Sequence, residues 1–289
     1  MKLKWLKYRW LYFLISGLII APGVFGLIKW GVRPAIDFTG GTLIEVKSEK
    51  LEVQGLKEYS NESNLNLKSI QESGDISILM RFDPISEEEK NEFIKTLEEK
   101  FGEVELVRFE TLGPSLGREL LVKTGVGLAL AVLGILIYVT LQFKDKAFGI
   151  CAILAMLHDS FILIGSYSLL GHFFGVEVDS LLVTAVLTIL SFSVHDTVVV
   201  YDRIRELIKA YPKEEFDKIA DMAINQTLIR SINNSLTIIF MLVSLVVFGG
   251  STIRWFAVAL LIGTIAGTYS STFTAIPLLS LWYQLFDKK

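Results

Sequence analysis

The chain has 289 residues, 52% hydrophobic and 20% charged, with a formal net charge of -3 and a mean hydropathy of +0.50. That composition is far from an ordinary soluble domain and sets the chain in a membrane. The single cysteine, Cys151, excludes an intramolecular disulfide, and histidines at 158, 172 and 195 lack metal-ligand spacing, so neither metal nor cofactor is expected.

In chain order, the first apolar run is Trp10–Ile28, preceded by Lys2, Lys4, Lys7 and Arg9. Ala21-Pro22-Gly23 mimics a signal-peptide cleavage site, but the apolar stretch continues through Val24–Ile28. It is longer than a signal core, so an uncleaved anchor is expected. A polar, acidic insert follows. Thr42–Lys47 alternates as a strand, Val53–Ser63 suits a short helix, and Leu65–Gln71 and Ile76–Phe82 alternate about a Ser73-Gly74-Asp75 turn. Ser86 and Glu89 form a capping box for a helix to Lys100, with Phe93, Ile94, Leu97 and Phe101 on one face. Val104–Phe109 closes the series as a strand. The order βαββαβ predicts a ferredoxin-like α+β domain, which by itself names no function.

Five further runs are long enough to cross a bilayer: Thr124–Gln142, Ala147–Gly171, Ser180–Tyr201, Ser231–Gly249 and Trp255–Trp282. The last is longer than needed, so it tilts, kinks near Pro277 or runs on along the interface. The expected fold is an α-helical polytopic membrane protein. It has six transmembrane helices and one ferredoxin-like extracytoplasmic domain between the first and second. Residues 1-30 are the N-terminus and first span, 31-122 the domain, and 123-289 the remaining bundle with a cytoplasmic segment at 202-230. Within that segment Ile204, Leu207, Ile208, Phe216, Ile219, Ala220 and Ala223 suit two amphipathic pieces broken at Pro212 along the membrane face. A solvated connector fits them equally well.

Lys and Arg gather at the N-terminus, at Lys144/Lys146, from Arg203 to Arg230, and at Lys288/Lys289, whereas the loop after the third span holds Glu177 and Asp179. The positive-inside rule therefore places both termini in the cytoplasm and residues 31–122 outside.

The fourth span carries His195 and Asp196 within SFSVHDTVVVYDRIRE. An acid inside such a run costs roughly 2.5–3.5 kcal/mol on insertion scales, so it is expected to face a bundle interior or wet cavity on an ion or proton path. Thr184, Thr188, Ser191 and His195 recur at helical spacing, with Asp196 one position round, which predicts a hydrated or interhelical face. The fifth span opens with Arg230, Ser231, Asn233, Asn234, Ser235 and Thr237. Asp196 and Arg230 stand at comparable depth and are expected to pair. A carboxyl balanced between ion pairing and desolvation changes protonation when its partner moves away, which a proton-driven machine needs. A static ion pair is the plainer alternative. His158-Asp159 in the third span either joins this relay or, more simply, holds neighbouring helices together. Asn233 and threonine oxygens beside the carboxylate would also suit Na⁺. Gly263 and Gly267, with Thr264, Thr268 and Ser271 nearby, read as close helix packing. GxxxxGK[ST], nucleophile-elbow, HExxH and dinucleotide patterns are missing from the sequence, so covalent catalysis is not expected.

Three stretches carry a family likeness: AIDFTGG (Ala35–Gly41), LGPSLGREL (Leu112–Leu120) and SVHDTVVVYDRIRE (Ser193–Glu206). In this order, over essentially the whole chain, they resemble the SecF branch of the SecD/SecF family in the resistance-nodulation-division superfamily. The third block is the most specific. The Gly-rich motif alone would be shared with SecD, whose outward region is usually much larger. Ala35 stands where the family usually has Gly, and Tyr201 where Phe is common. The resemblance implies that Asp196 is the essential membrane carboxylate and Arg230 its basic partner. It also implies a heteromeric complex with SecD, contacts with the SecYEG channel and with translocating preprotein, and surrounding membrane lipid, with no nucleic acid. The function implied is gradient-driven promotion of protein export at the outer side of the cytoplasmic membrane. A half-transporter of the same superfamily, exporting a small lipid or drug, is the alternative.

Overall fold

The structure, a computed structural model, describes residues 3–48, 56, 65–72, 77–143 and 145–286. After a 3₁₀ turn (Leu6–Tyr8) come α1 (Arg9–Lys29), α2 (Ile36–Thr39), β1 (Gly41–Lys47), β2 (Leu67–Glu72), β3 (Ser77–Phe82), α3 (Glu87–Phe101) and β4 (Glu105–Leu112). The remainder is helical: α4 (Pro114–Gln142), α5 (Lys146–Phe174), α6 (Ser180–Ala210), α7 (Phe216–Phe248), α8 (Ser251–Phe273) and α9 (Ala275–Phe286). Two compact units result. One comprises Met1–Val32, Gly127–Val176 and Leu181–Lys289; the other comprises Arg33–Val126 and Glu177–Ser180.

Among the described residues, six stretches are long and apolar enough to cross a membrane: Leu6–Lys29, Pro114–Gln142, Lys146–Phe174, Ser180–Ala210, Phe216–Phe248 and Ile253–Phe286. They turn large apolar side chains outward, with Ile28 83% and Phe248 86% exposed, an arrangement that suits hydrocarbon and not water. The chain is a multi-pass membrane protein.

The helices outrun their apolar windows. Proline is favoured at a first helical position, where no N–H is needed, and α4 accordingly begins at Pro114, ahead of the expected Thr124. The segment between the fourth and fifth spans breaks near Pro212, as expected. α6 runs on to Ala210 and α7 starts at Phe216, and Ile204, Leu207, Ile219, Ala220 and Ala223 are buried. The final span is interrupted at Thr274. Pro277 lacks an N–H, and its ring excludes the carbonyl of Phe273 four residues earlier, so α8 stops there and α9 restarts.

Small residues set the helix contacts. A Cβ built on Gly165 would lie 2.7 Å from the Cα of Gly23, so α5 and α1 touch backbone to backbone. One on Gly263 would meet Ile189, and one on Gly267 would come within 3.3 Å of Ser193 Cβ, which brings α8 against α6 as the small-residue spacing predicts. Hydroxyls tie the same helices together: Tyr167 donates to Trp255 O at 2.5 Å and Tyr269 to Tyr12 O at 2.9 Å.

The second unit holds an antiparallel sheet of order β2-β3-β1-β4. Ile44 lies opposite Met80 and Phe109 across β1, and Ile44, Val46, Met80 and Phe82 pack with Phe93 and Leu97 of α3. The capping box forms: Glu89 N donates to Ser86 Oγ at 3.2 Å and Ser86 N to Glu89 Oε2 at 2.7 Å. Along the chain, the four strands and α3 come in the expected sequence. The expected helix Val53–Ser63 lies outside the described residues except for Leu56, which is buried in this core.

The two Gly-rich motifs meet each other. Gly40 has φ +73°, and a Cβ there would sit 2.7 Å from Pro114 Cα; one on Gly117 would sit 2.6 Å from Gly40 N. Ala35 has φ -75°, so no glycine is needed where it stands. Beside this contact, Ala35 N donates to Val178 O at 2.9 Å and Val178 N to Arg33 O at 2.7 Å. Asp37 Oδ2 accepts from Ser180 N at 2.9 Å and Ser180 Oγ at 2.6 Å, at the first residue of α6. Arg81 and Glu177 form a largely buried ion pair. Burial, with Arg108 and Arg33 nearby, lowers the Arg81 guanidinium to about 10.

Candidate functional site

Asp196 on α6 is only 5% exposed. Its Oδ2 accepts from Ser231 Oγ of α7 at 2.7 Å and from Ser271 Oγ of α8 at 2.6 Å. Asp159 on α5 is fully buried. Its Oδ2 accepts from Ser193 Oγ of α6 at 2.5 Å and Ser270 Oγ of α8 at 2.6 Å, while its Oδ1 lies 2.9 Å from His158 Nδ1. Two carboxylates are thus clasped between α6 and α8 by four serines. Ser193 stands one turn before Asp196, and Ser270 and Ser271 are sequence neighbours.

Local sequence explains the geometry. Gly267 lets α8 approach α6 closely enough for Ser270 and Ser271 to reach across. One turn beyond Ser231, Ser235 Oγ takes a 2.6 Å hydrogen bond from Thr268 Oγ1, which fixes α7 against α8. A hydroxyl can donate to a carboxylate or accept from a carboxylic acid, so both sites can serve either protonation state. Each bond from a hydroxyl to an ionised carboxylate contributes about 1.5–3 kcal/mol, which offsets part of the cost of a buried charge.

The expected Asp196–Arg230 ion pair is not formed. Arg230 is exposed and lines a surface pocket of about 370 Å³ with Asp202, Arg203, Glu206 and Gln226. Neighbours on a helix point about 100° apart, so turning Ser231 toward Asp196 turns Arg230 away. The stripe Thr184, Thr188, Ser191 and His195 lies on an exposed face of α6 rather than beside the carboxylate. Thr188 Oγ1 donates back to Thr184 O at 2.8 Å, and Ser191 and His195 line a cavity of about 370 Å³ against Gly134 and Tyr138 of α4. Asn233 and Asn234 are exposed as well. Of the predicted acidic and basic residues, Asp196, Asp159 and His158 are enclosed, whereas Arg230 and His195 are not. The serines that hold them were not singled out as ligands. Hydroxyls one turn from a buried acid, and at matching depth on neighbouring spans, are the signal that points to them.

Residues 92–285 match the family described as protein export membrane protein SecD/SecF, C-terminal, and residues 27–50 match the SecD/SecF GG motif. The chain belongs to the SecD/SecF family. Curated relatives are named protein translocase subunit SecF. The protein of Thermobaculum terrenum is 42% identical over 96% of this chain and 92% of its own length. That of Anaerolinea thermophila is 37% identical over 95% and 92%. Among solved structures, SecDF from Thermus thermophilus matches with a TM-score of 0.88 at 30% identity, covering 98% of this chain and 39% of that longer one. A SecDF in a super-membrane-facing form gives 0.67. Within this SecD/SecF chain the GG-motif match contains Gly40, which abuts Pro114, and Gly41, which abuts Phe82 O, and both buried carboxylates fall inside the C-terminal match.

Proposed function

We propose that this chain is the SecF subunit of a SecD–SecF complex that uses the proton or sodium gradient to promote preprotein export through SecYEG. The observation that carries the reading is Asp196, 5% exposed in a membrane helix and held by two hydroxyls that suit either protonation state. Asp196 is the carrier, and Arg230 is the partner that engages it in another state of the cycle; here the serines stand in its place. Moving one charge through 100 mV makes about 2.3 kcal/mol available per ion. No covalent step is involved.

Both termini lie on the cytoplasmic side and the sheet unit outside, an orientation supported by charge and by the ties at one end of the helical unit. There Leu6 N donates to Asp221 Oδ1 at 3.0 Å, Arg9 to Ser280 Oγ at 3.1 Å, Ser280 to Asp217 at 2.6 Å, and Tyr283 to Asp145 at 2.5 Å. These bonds gather residues near both termini and in both basic loops.

The test is preprotein export in cells whose only copy is Asp196→Asn, with membrane level and SecD copurification followed in parallel. Lost export with an intact complex is expected. Normal export would reduce the site to a structural clasp.

A further inference from the structure

Asp159 has no place in the reading above, yet it is the more deeply buried carboxylate. Its neighbour His158 is 8% exposed, and with Nδ1 on Asp159, its buried Nε2 has no hydrogen-bond partner among the described residues. Polar atoms sealed in a bundle are ordinarily satisfied, so an orphaned ring nitrogen beside a buried acid calls for a role. With Asp159 ionised, the proton of a neutral imidazole sits on Nδ1, facing Oδ1, and the Nε2 lone pair is free to accept another.

We propose that His158–Asp159 is a second proton-carrying site, distinct from Asp196 and linked to it through Ser193, Ser270 and Ser271. A proton taken up at Nε2 converts the imidazole to imidazolium. The Nδ1–H stays on Asp159, whose carboxylate compensates the new charge, and release returns the same proton from Nε2. Ser193 and Ser270 hold the second carboxylate oxygen and keep it from turning away. The groups that face the pair are few. α6 brings Asp196 one turn beyond Ser193. α8 brings Tyr269, whose ring lies 6.3 Å from the imidazole and nearly parallel to it, and its hydroxyl is committed to Tyr12 O of α1. α7 contributes the Ser231 hydroxyl, to Asp196 and not to this pair. Adjacent serines on α8 therefore sense the two carboxylates separately, so a change of charge at one is felt at the other through a shift of a single helix.

The site rests on the ion-coupling reading for its purpose but is tested without it. The chain has three histidines, so nitrogen-15 spectra of the full chain in phospholipid vesicles can be assigned by His158→Gln alone. Both the neutral and the doubly protonated His158 ring are expected in those spectra over the pH range sampled, and Asp159→Asn is expected to reduce the doubly protonated share while the other two histidine signals stay as they are. If Asp159→Asn does not fold, Ser270→Ala removes one donor from the carboxylate and is expected to enlarge the doubly protonated share. In cells, His158→Gln is expected to cut export severalfold while the complex still assembles. A His158 that stays neutral throughout, a doubly protonated share indifferent to both variants, or unchanged export in His158→Gln overturns the proposal. Normal export in Asp196→Asn together with a titrating His158 overturns instead the reading on which its purpose rests.

Discussion

Ser193 Oγ donates to Asp159 Oδ2 at 2.5 Å although it belongs to the helix that carries Asp196, one turn earlier. α6 therefore serves both carboxylates, one as its own side chain and one through a hydroxyl. Ser193→Ala keeps the Cβ that packs on Gly267 and removes only the bond. The expected cost is about 1–3 kcal/mol, read as a lowered thermal midpoint of the full chain in lipid nanodiscs. An unchanged midpoint would mean the bond adds nothing.

Gly165 and Gly23 meet through their backbones, with no flexible side chain to give way. Gly165→Val is expected to push α5 off α1 and cost about 1–3 kcal/mol or more, seen as reduced membrane level and easier proteolysis. Gly134→Ala, with open space around it, should leave both measurements as they are.

Arg81 and Glu177 are each about 12% exposed at the side chain. Glu177→Gln leaves a buried guanidinium uncompensated, and a loss of about 3–5 kcal/mol is expected in the sheet unit. Replacing both residues by methionine should cost much less. The comparison needs only thermal unfolding of the two variants, and a double variant as unstable as the single one would contradict it.

Glu89 is held below the ordinary carboxylate range by its bonds to the backbone and hydroxyl of Ser86. Because the folded state lowers this group's pKa, its stabilising contribution is present above the unfolded value and is lost as pH falls through the folded one. Glu89→Ala should therefore lower the thermal midpoint of α3 at pH 7, with the difference from the parent shrinking steadily below about pH 4. A difference that persists in acid would assign the effect to helix propensity instead.

Long-period features were legible in the sequence: apolar windows gave the spans, the Ser86–Glu89 spacing gave the cap, and Asp196 stood out against its surroundings. The features that were not legible share a cause. Depth along a helix can be read from sequence position, but rotation about the axis is decided by packing. Arg230 and Ser231 differ by one residue and face different ways, so charge chemistry favoured the first and geometry chose the second. The Thr184–His195 stripe and Asp196 are separated by the same small rotation. Around Pro212 the pattern left a surface helix and a connector equally open, because amphipathic extensions of buried helices share that pattern.

α1 is fastened to parts of the chain that are synthesised far later. Arg9 bonds Ser280, Ser16 meets Thr274 and Tyr269 reaches Tyr12, across separations of 271, 258 and 257 residues. At translation rates of about 5–20 residues per second, that face of α1 waits on the order of ten seconds or more for its partners. α5 covers Gly23 and Gly26 earlier, but until α8 and α9 arrive the Arg9 and Ser16 side chains and the Tyr12 carbonyl lie against lipid or against whatever attends insertion. The bundle closes from its oldest helix to its youngest, so loss of α9 would be felt first near the N-terminus.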